Sequence, residues 1–393
     1  MIAPIPLDAL LKAPAEGPSA RTVEVPIGPP LTVDPAGAES RRGHVSKKLR
    51  LFRAYLSGRP VWVTWQVTYN CKYRCSFCTY WQNDFEKHEE NSLDDFRIGA
   101  DKLSAMGSLI VSLAGGEPML RRDLHQIVGI LAEDHFPYLT TSGSGMTLRR
   151  ARELWDAGLW GCSVSIDYAD SERHARHRGV KFAYERAITA IEQLLATRAD
   201  RTYQRVQIIS VLTDDNLEEM PALCRLAREL GVYWQVQPYS VMKTGNETQR
   251  HLAGATEVLL DLKRRYPETF HANTRYLEQF DAATNDGISG CIAGKAMFNI
   301  DNQMTVSKCV EFNASEPCGN LRTDSIASVL DRLHAAHARN TCTACWYSCR
   351  GEVEVLYSAR GFLHSLPSLL WQSGGSQRSD APRDAIPIEG GPR

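Results

Sequence analysis

The fold of this chain is decided by one stretch, Cys71-Lys72-Tyr73-Arg74-Cys75-Ser76-Phe77-Cys78, which places three thiols within eight residues. The apolar, β-branched run Val61–Val67 precedes it and predicts a β-strand. The cysteines are therefore expected on a loop at the end of that strand. Thiolates with this spacing can hold an iron–sulfur cluster or a zinc ion. A four-iron cluster with three cysteine ligands would have one iron open to a small molecule.

Two other interpretations of these thiols are open. A structural zinc ion needs a fourth nitrogen or sulfur ligand, and the nearest histidine downstream, His88, lies in a charged stretch that predicts an exposed helix start. Unrelated buried thiols are common in proteins, but three so close together on one loop are improbable by chance. The spacing therefore favours an iron–sulfur cluster over both.

Length and composition are those of an ordinary globular protein. The chain has 393 residues, enough for two domains, of which 43% are hydrophobic and 23% charged. A net charge of −1 argues against a general nucleic-acid binder. Eleven cysteines, an odd number with short spacings, favour metal ligation in a reducing, cytoplasmic compartment over a disulfide framework. No secretory signal pattern and no membrane-spanning apolar run is found.

The pattern of residues divides the chain into five segments. Residues 1–42 are rich in Pro, Ala and Gly and predict a disordered leader, and residues 372–393 predict a disordered tail. Residues 43–57 predict a basic amphipathic helix. Residues 58–245 alternate strands and helices, and residues 246–371 predict a helical linker followed by a small cysteine-rich domain.

The basic helix has an apolar face formed by Val45, Leu49, Phe52 and Leu56. This face is expected to pack against the bottom of the fold, with the basic face in solvent. Contact with an anionic membrane surface is the alternative.

Residues 58–245 predict an α/β fold. The strand candidates are Val61–Val67, Leu109–Leu113, Tyr138–Thr141, Cys162–Ile166, Val206–Leu212 and Val232–Gln237. Helical stretches separate them, including Leu120–Glu133, Leu148–Ala157, Phe182–Leu195 and Leu217–Leu230. Strands that alternate with helices pair in parallel through right-handed crossovers, so we expect a partial (β/α)6 TIM-like barrel. In such barrels the functional side chains lie on loops at the carboxyl ends of the strands.

Glycine-rich and polar loops follow these strands. They are Ala114-Gly115-Gly116-Glu117-Pro118, Thr141-Ser142-Gly143-Ser144-Gly145, Ser165-Ile166-Asp167, His177-Arg178-Gly179 and Asn216. From the residues alone, the Gly-Gly pair could be a tight turn, Arg178 a surface arginine and Asn216 a helix cap. With the three cysteines, however, these loops resemble the radical S-adenosylmethionine (radical SAM) superfamily over roughly residues 58–240.

The resemblance implies a cofactor site. Cys71, Cys75 and Cys78 would bind a [4Fe–4S] cluster whose open iron chelates S-adenosylmethionine, with Glu117 on the methionine ammonium and Arg178 on its carboxylate. The full set of implied cofactor contacts is Phe77, Gly115, Gly116, Glu117, Pro118, Ser142, Ser165, Asp167, Arg178 and Asn216. The chain departs from the family after the third strand, where an Asn-Gly pair is usual and Ser142 and Gly143 stand instead.

Six cysteines lie in the C-terminal third: Cys291, Cys309, Cys318, Cys342, Cys345 and Cys349. The first two bracket a predicted β-hairpin, and a helix is predicted over Ser325–His337. Two distant cysteines and a later C-x2-C can meet as four thiolates around one metal, and the spacing leaves zinc and iron–sulfur equally open.

This region resembles the SPASM/Twitch extension of radical SAM enzymes, which carries auxiliary [4Fe–4S] clusters. The full SPASM pattern has seven cysteines and two clusters, so the six here imply one auxiliary cluster, held by Cys291, Cys309, Cys342 and Cys345. Cys349 is the alternative to one of the last pair, and Cys318 is a spare or a ligand of a partial second cluster. Cys162 and Cys224 are expected in the core.

The resemblance implies a radical SAM enzyme that cleaves S-adenosylmethionine reductively and abstracts hydrogen from a substrate. A small-molecule substrate is favoured over a ribosomal peptide, because the first 42 residues are too short and irregular for a leader-recognition domain. An external reductant such as flavodoxin or ferredoxin would be the partner, and no catalytic residue is assigned beyond the cofactor contacts. Two other functions are the alternatives. One is an iron–sulfur electron carrier, which would not need the contacts to S-adenosylmethionine, and the other is a zinc-organised binding module.

Overall fold

The structure is a nine-stranded sheet with helices packed on it. It is a computed structural model that describes residues 36–82, 90–199, 203–246, 252–312 and 315–357, with side chains from residue 43 onward. The predicted tail, His88 and the first 35 residues of the predicted leader lie outside the described residues.

The six predicted barrel strands are confirmed, each within two residues of its predicted ends. They are β1 Trp62–Thr68, β2 Ile110–Gly115, β3 Phe136–Thr141, β4 Gly161–Ser165, β5 Arg205–Leu212 and β6 Tyr233–Pro238. Three short strands follow in the C-terminal region: β7 Met297–Ile300, β8 Thr305–Ser307 and β9 Pro317–Asn320. The predicted hairpin is formed by β7 and β8, which pair antiparallel.

The helices are α1 Ala36–Leu56, α2 Leu93–Ser104, α3 Leu124–Ala132, α4 Leu148–Asp156, α5 Ser171–Arg178, α6 Ala183–Thr197, α7 Met220–Glu229, α8 Ala255–Arg265, α9 Thr274–Leu277, α10 Phe280–Asn285, α11 Ile326–Ala338 and α12 Ser348–Tyr357. The sequence analysis predicted neither α2 nor α5, although Ser92 and Asp95 form a capping box at the start of α2. Among the described helices, none combines the length and the hydropathy that a membrane crossing requires.

The barrel strands β1 to β6 pair in parallel in chain order, which confirms the partial α/β barrel. The sheet order is β6-β5-β4-β3-β2-β1-β7-β8-β9, so the sheet is open. Strand β7 pairs in parallel with β1, with Trp62 opposite Met297. The hairpin that was expected in a separate extension is therefore part of the barrel sheet. It satisfies backbone groups that an edge strand at β1 would otherwise expose.

The core lies between the sheet and its helices, and it fixes the strand that precedes the cysteines. Trp65 of β1 is fully buried and packs against Phe96 of α2, with ring centroids 4.8 Å apart. Gly99 leaves room for this ring, since a Cβ there would lie 2.3 Å from Trp65. Each such buried side chain stabilises the fold by roughly 1.5–3 kcal/mol, so β1 is a rigid base for the loop that follows it.

Helix α1 packs on the barrel with the face opposite to the predicted one. More than half of the surface is exposed on three of the expected contact residues, Val45, Leu49 and Leu56. Lys47 and Arg50 face the barrel instead, beside the buried Leu51 and Ala54. Lys47 Nζ donates to the carbonyl of Ala132 at 2.6 Å, and Arg50 pairs with Asp134. These contacts decide the orientation, because the last carbonyls of α3 need donors that the helix itself cannot supply.

Candidate active site

The cysteine loop, residues 71–78, leaves the end of β1. Cys71, Cys75 and Cys78 lie together there in a small cluster with Tyr73 and Phe77. Burial raises the pKa of the Cys71 thiol to about 11 and that of the Cys75 thiol to about 12. Thiols in such surroundings stay protonated at neutral pH unless a bound cation takes up the charge of the thiolate.

The C-terminal end of α5 holds the cysteine loop in place. The backbone N–H groups of Arg74 and Ser76 donate to the carbonyls of Arg178 and His177, at 3.2 and 3.1 Å. Gly179 permits this close approach, since it has a φ of +64° and a Cβ there would lie 2.6 Å from the carbonyl oxygen of Arg74. The Arg-Gly pair thus sets the position of the loop that carries the three thiols.

Arg178 is buried, so its interpretation as an ordinary surface arginine is wrong. Its Nη2 lies 2.6 Å from Asp167 Oδ2, its Nη1 lies 4.0 Å from Cys75 Sγ, and its guanidinium lies 5.0 Å from the ring centroid of Phe77. Burial alone would lower the pKa of Arg178, but Asp167 and the Cys75 thiol raise it. Asp167 therefore holds the Arg178 guanidinium, as a charged partner in an ion pair, beside the cysteine loop. The ring of Phe77 also stacks on the ring of His177, and the two ring centroids lie 4.7 Å apart.

The carboxylate of Glu117 is buried and receives four hydrogen bonds. Its Oε1 accepts from the Met119 N–H at 3.0 Å and the Thr141 hydroxyl at 2.6 Å, and its Oε2 accepts from the Ser142 N–H at 2.8 Å and the Ser142 hydroxyl. No lysine or arginine of the described residues forms an ion pair with it. Glu117 is therefore held in place by hydrogen bonds rather than by an ion pair. Ser142, expected on the cofactor, donates its hydroxyl to Glu117 in this structure.

The two glycines before Glu117 allow two protein loops to approach each other. A Cβ on Gly115 would lie 2.1 Å from the carbonyl oxygen of Thr68, and one on Gly116 would lie 2.3 Å from that of Asn70. The sequence analysis expected a close approach to a ligand here. The structure shows instead that the glycines bring Glu117 against the start of the cysteine loop.

Asn216 connects the ends of two strands. Its Nδ2 donates to the carbonyls of Val211 at 2.9 Å and Asp167 at 3.2 Å, and its Oδ1 accepts from the Thr213 N–H at 2.8 Å. Its side chain makes no capping bond, so the helix-cap interpretation is wrong. Ser165 ends β4 with a half-buried side chain, and Pro118 is buried at the start of the short 3₁₀ turn after Glu117.

Four thiols of the C-terminal region lie near one another: Cys291, Cys309, Cys345 and Cys349. Cys291 packs in one cluster with Cys309 and Cys349. Cys345 is close enough to Cys291, Cys309 and Cys349 for their charges to interact. Burial raises the pKa of the Cys345 thiol to about 12. We refer to these four residues as the second thiol group.

The other cysteines occupy different surroundings. Cys342 Sγ lies 4.0 Å from the sulfur of Met242. The Cys342 thiol also interacts electrostatically with the Cys345 thiol. Cys318 is buried, with its Sγ 3.9 Å from the carbonyl of Glu316. Cys162 and Cys224 are fully buried in the core, as predicted.

Neither set of thiols has single-ion geometry. Within the described residues, no three His, Cys, Asp or Glu side chains are grouped closely enough to hold one metal ion. A four-iron cluster is wider than one ion, and the thiolates that hold it stand correspondingly farther apart.

A cavity of about 570 Å³ fills the barrel and reaches both sets of thiols. Cys78 and Gly115 line it at the carboxyl ends of the strands, and Cys349 lines it from α12. The α12 residues on the cavity wall are Ser348, Cys349, Glu352, Val353 and Leu356, which form one face of that helix.

An ion pair lies between the two sets of thiols. Lys243 Nζ, on the loop after β6, lies 2.9 Å from Glu311 Oε1, on the loop after Cys309. Lys243 also lies over the ring of Tyr80, 4.8 Å from its centroid. Burial alone would lower the pKa of Lys243, but Tyr80 and Glu311 raise it, so the ammonium keeps its charge.

Residues 65–227 match the family model described as the radical SAM superfamily. This part of the chain is a radical SAM domain. The AdoMet-dependent heme synthase of Methanosarcina barkeri is 31% identical to the chain over 177 residues, which are 45% of this chain and 49% of that protein. The Fe-coproporphyrin III synthase of the same organism is 28% identical over 201 residues, 50% of this chain and 48% of that protein. The chain thus spans about half the length of the curated relatives it matches.

Some solved structures have the same fold as this chain, and the alignments with them extend beyond residues 65–227. SuiB of Streptococcus suis bound to the precursor peptide SuiA aligns with a TM-score of 0.59 and 17% identity, covering 86% of this chain and 81% of that one. The anSMEcpe structure with bound AdoMet aligns with a TM-score of 0.56 and 12% identity, covering 80% of this chain and 99% of that one. At these identities the likeness shows the fold alone.

Two residues near the thiols, both C-terminal to the radical SAM domain, were not predicted from the sequence. Lys243 and Glu311 were not singled out, although one follows the sixth strand and the other comes two residues after Cys309. Their positions at strand ends were the available clue, because side chains there meet at the same end of a barrel.

Replacing Asp167 with asparagine is expected to lower the free energy of unfolding by about 3–5 kcal/mol, because Arg178 would remain buried without its counter-charge. Urea denaturation of the metal-free protein measures this. Asp156→Asn, at an exposed position on α4, is the matched control and should stay within about 0.5 kcal/mol of the parent. An equally small effect at Asp167 would show that the ion pair does not anchor the cysteine loop.

Proposed function

We propose that the chain is a radical SAM enzyme that cleaves S-adenosylmethionine reductively and abstracts hydrogen from a substrate bound in the barrel cavity. One observation carries the proposal: Cys78 of the cysteine loop, Gly115 of the Glu117 loop and Cys349 of the second thiol group line the same cavity. A cofactor bound at Cys78 and Gly115 would therefore face a substrate in this cavity, and Cys349 would lie beside the same substrate.

The described residues fit the cofactors of this family. Cys71, Cys75 and Cys78 would hold a [4Fe–4S] cluster, since they lie together on one loop and the raised pKa values of Cys71 and Cys75 mean that these two thiols need a cation to ionise at neutral pH. Glu117 would bind the ammonium of S-adenosylmethionine, which supplies the counter-charge that the carboxylate lacks. When bound, these groups supply an electron and a 5′-deoxyadenosyl radical that removes hydrogen from the substrate.

The other proposed cofactor contacts divide by what they do in this structure. Arg178 stays proposed as a cation near the cofactor, with Asp167 positioning it. Ser142 and Asn216 act through their hydrogen bonds, one to Glu117 and the other between strand ends. Phe77, Gly116, Pro118 and Ser165 stay proposed as parts of the rim.

We assign an auxiliary [4Fe–4S] cluster to the second thiol group, with Cys349 in the place given to Cys342 on sequence grounds. Grouping of Cys291, Cys309, Cys345 and Cys349 supports this choice. The auxiliary cluster would take up an electron during substrate oxidation or bind the substrate. The competing zinc assignment predicts zinc in place of that iron.

A small molecule remains the favoured substrate. The two Methanosarcina barkeri relatives are named for heme and Fe-coproporphyrin synthesis, while SuiB is bound to a peptide, so a peptide substrate is the second candidate. We propose flavodoxin or ferredoxin as the reductant. A cytoplasmic location follows from the need to keep 11 cysteines reduced.

Replacing Glu117 with glutamine is expected to raise the Kd for S-adenosylmethionine by roughly 10- to 150-fold, as loss of a charge-assisted contact worth about 1.5–3 kcal/mol predicts. Calorimetric titration of the reconstituted protein measures the Kd. Glu153→Gln, on the surface of α4, should leave it unchanged. Equal affinity in the Glu117 variant would mean that this loop is only structural.

Anaerobic reconstitution with iron and sulfide, followed by S-adenosylmethionine and dithionite, tests the function itself. The expected product is 5′-deoxyadenosine, and candidate metabolites that accelerate its formation identify the substrate. A protein that binds only zinc, or forms no 5′-deoxyadenosine at full iron loading, would reject the proposal.

A further inference from the structure

The barrel cavity extends from the proposed cofactor site, at the carboxyl ends of the strands, toward their amino ends. We call these the upper and the lower end of the cavity. Val211, near the end of β5, and Arg205, its first residue, both line the cavity. With a rise of about 3.3 Å per residue, these two positions lie roughly 20 Å apart along the strand. The proposed function uses only the upper end, so the lower end is available to bind another part of the substrate.

Nitrogen-bearing side chains line this lower end. The basic ones are Arg205 on β5, Lys263 on α8 and His271, which lies on the segment after α8 and donates its backbone N–H to the carbonyl of Trp234 on β6. Burial, together with the charges of Arg205 and Lys263, lowers the pKa of His271 to about 4. The histidine is therefore a neutral hydrogen-bonding group beside two cations at neutral pH.

Lys263 forms no ion pair with a carboxylate of the described residues, and burial lowers its pKa although the nearby Glu352 acts to raise it. Its Nζ donates to the carbonyl oxygens of Phe270 at 2.6 Å and Pro267 at 3.5 Å, which solvate the ammonium without neutralising it. Glu352, on the cavity face of α12, interacts with Lys263 but forms no ion pair with it. Its Oε1 accepts from the Asn273 N–H at 3.0 Å, and burial raises its pKa to about 7. Glu352 is therefore only partly ionised at neutral pH.

Aromatic side chains surround these charges. The cavity-lining members are Trp62, Tyr138, Trp160 and Tyr233. The Arg205 guanidinium lies 5.2 Å from the ring centroid of Trp160, and the Tyr233 ring lies 4.7 Å from that of His271. Flat apolar surfaces beside cations are suited to a ligand with a flat, largely apolar body and an anionic end.

We propose that this lower end is a substrate subsite that binds the anionic oxygens of a carboxylate or phosphate through Lys263 and Arg205. The body of the substrate lies between the aromatic side chains, which directs its other end toward the cysteine loop. The inference rests on the proposed function and adds to it the chemical class of the substrate.

A series of probes with one aromatic body tests the subsite. Indole propionate, indole propionamide, indole propylamine and indole ethyl phosphate are titrated calorimetrically into the reconstituted full chain. We expect the carboxylate or the phosphate to bind about tenfold or more tightly than the amide, with the amine weakest. The tighter of the two anions then identifies whether the natural group is a carboxylate or a phosphate.

Lys263→Met is expected to raise the Kd of the anionic probes about tenfold and to leave that of the amide unchanged. Lys181→Met, at an exposed lysine, is the matched control and should change neither. Equal binding of the amide and the anions by the unaltered chain, or tightest binding of the amine, would overturn the proposal even if the Lys263 variant did not fold. Because calorimetry requires no turnover, a failed preference with normal 5′-deoxyadenosine formation rejects the subsite alone.

Discussion

Replacing Cys75 with alanine is expected to reduce formation of 5′-deoxyadenosine to the level of the buffer blank. Cys75 is the most deeply buried thiol of the cysteine loop, and it lies against Arg178 rather than solvent. Among the described residues, no other thiol lies in that cluster besides Cys71 and Cys78. Two thiolates are too few to retain the open-iron cluster. The measurement is chromatographic detection of 5′-deoxyadenosine after reduction with dithionite.

The barrel itself should survive this change, because its core lies between the sheet and the helices and does not depend on the loop. Circular dichroism should therefore match that of the parent. Cys224→Ala, in the core on α7, is the control and should keep its cleavage activity. Continued cleavage by a reconstituted Cys75 variant would show that the central assignment of the cysteine loop is wrong.

The second large effect concerns the iron content. Full reconstitution should give about eight iron per chain, as two four-iron clusters require. Replacing Cys349 with alanine should reduce this to about four, because Cys349 packs with Cys291 and Cys309 and interacts with Cys345. Replacing Cys342 should leave iron near eight, because this thiol contacts Met242 and is not packed in the cluster of Cys291, Cys309 and Cys349.

The opposite result for these two variants would contradict the assignment of Cys349. Loss of four iron at Cys342 and none at Cys349 would restore the ligand set predicted from the sequence. Cys318→Ala is the control, since Cys318 lies apart from both sets of thiols, and should keep all iron. Iron near twelve in the parent would indicate a second auxiliary cluster, and about four iron with zinc present would support zinc at the second thiol group.

The sequence was sufficient for the barrel because its evidence is local. Alternating strands and helices require parallel pairing, and all six strands were found where apolar runs predicted them. The same reasoning was wrong about α1, where hydrophobic periodicity favoured Val45, Leu49 and Leu56 as the contact face. Lys47 and Arg50 face the barrel, since carbonyls and a carboxylate on α3 and its following turn give them partners that no periodicity reveals.

Spacing along the chain placed the three thiols of the cysteine loop, and Glu117 and Arg178 near them, because each lies at the carboxyl end of a barrel strand or on the segment that follows it. Only the tertiary structure decided what these side chains touch. It paired Arg178 with Asp167, gave the Ser142 hydroxyl to Glu117 and packed Cys349 in one cluster with Cys291 and Cys309. It also joined the C-terminal hairpin to β1 and opened one cavity to both sets of thiols. The physical reason is that strand and helix formation depends on neighbours in the sequence, whereas ion pairs, hydrogen bonds and thiol groupings depend on segments that meet only when the chain has folded.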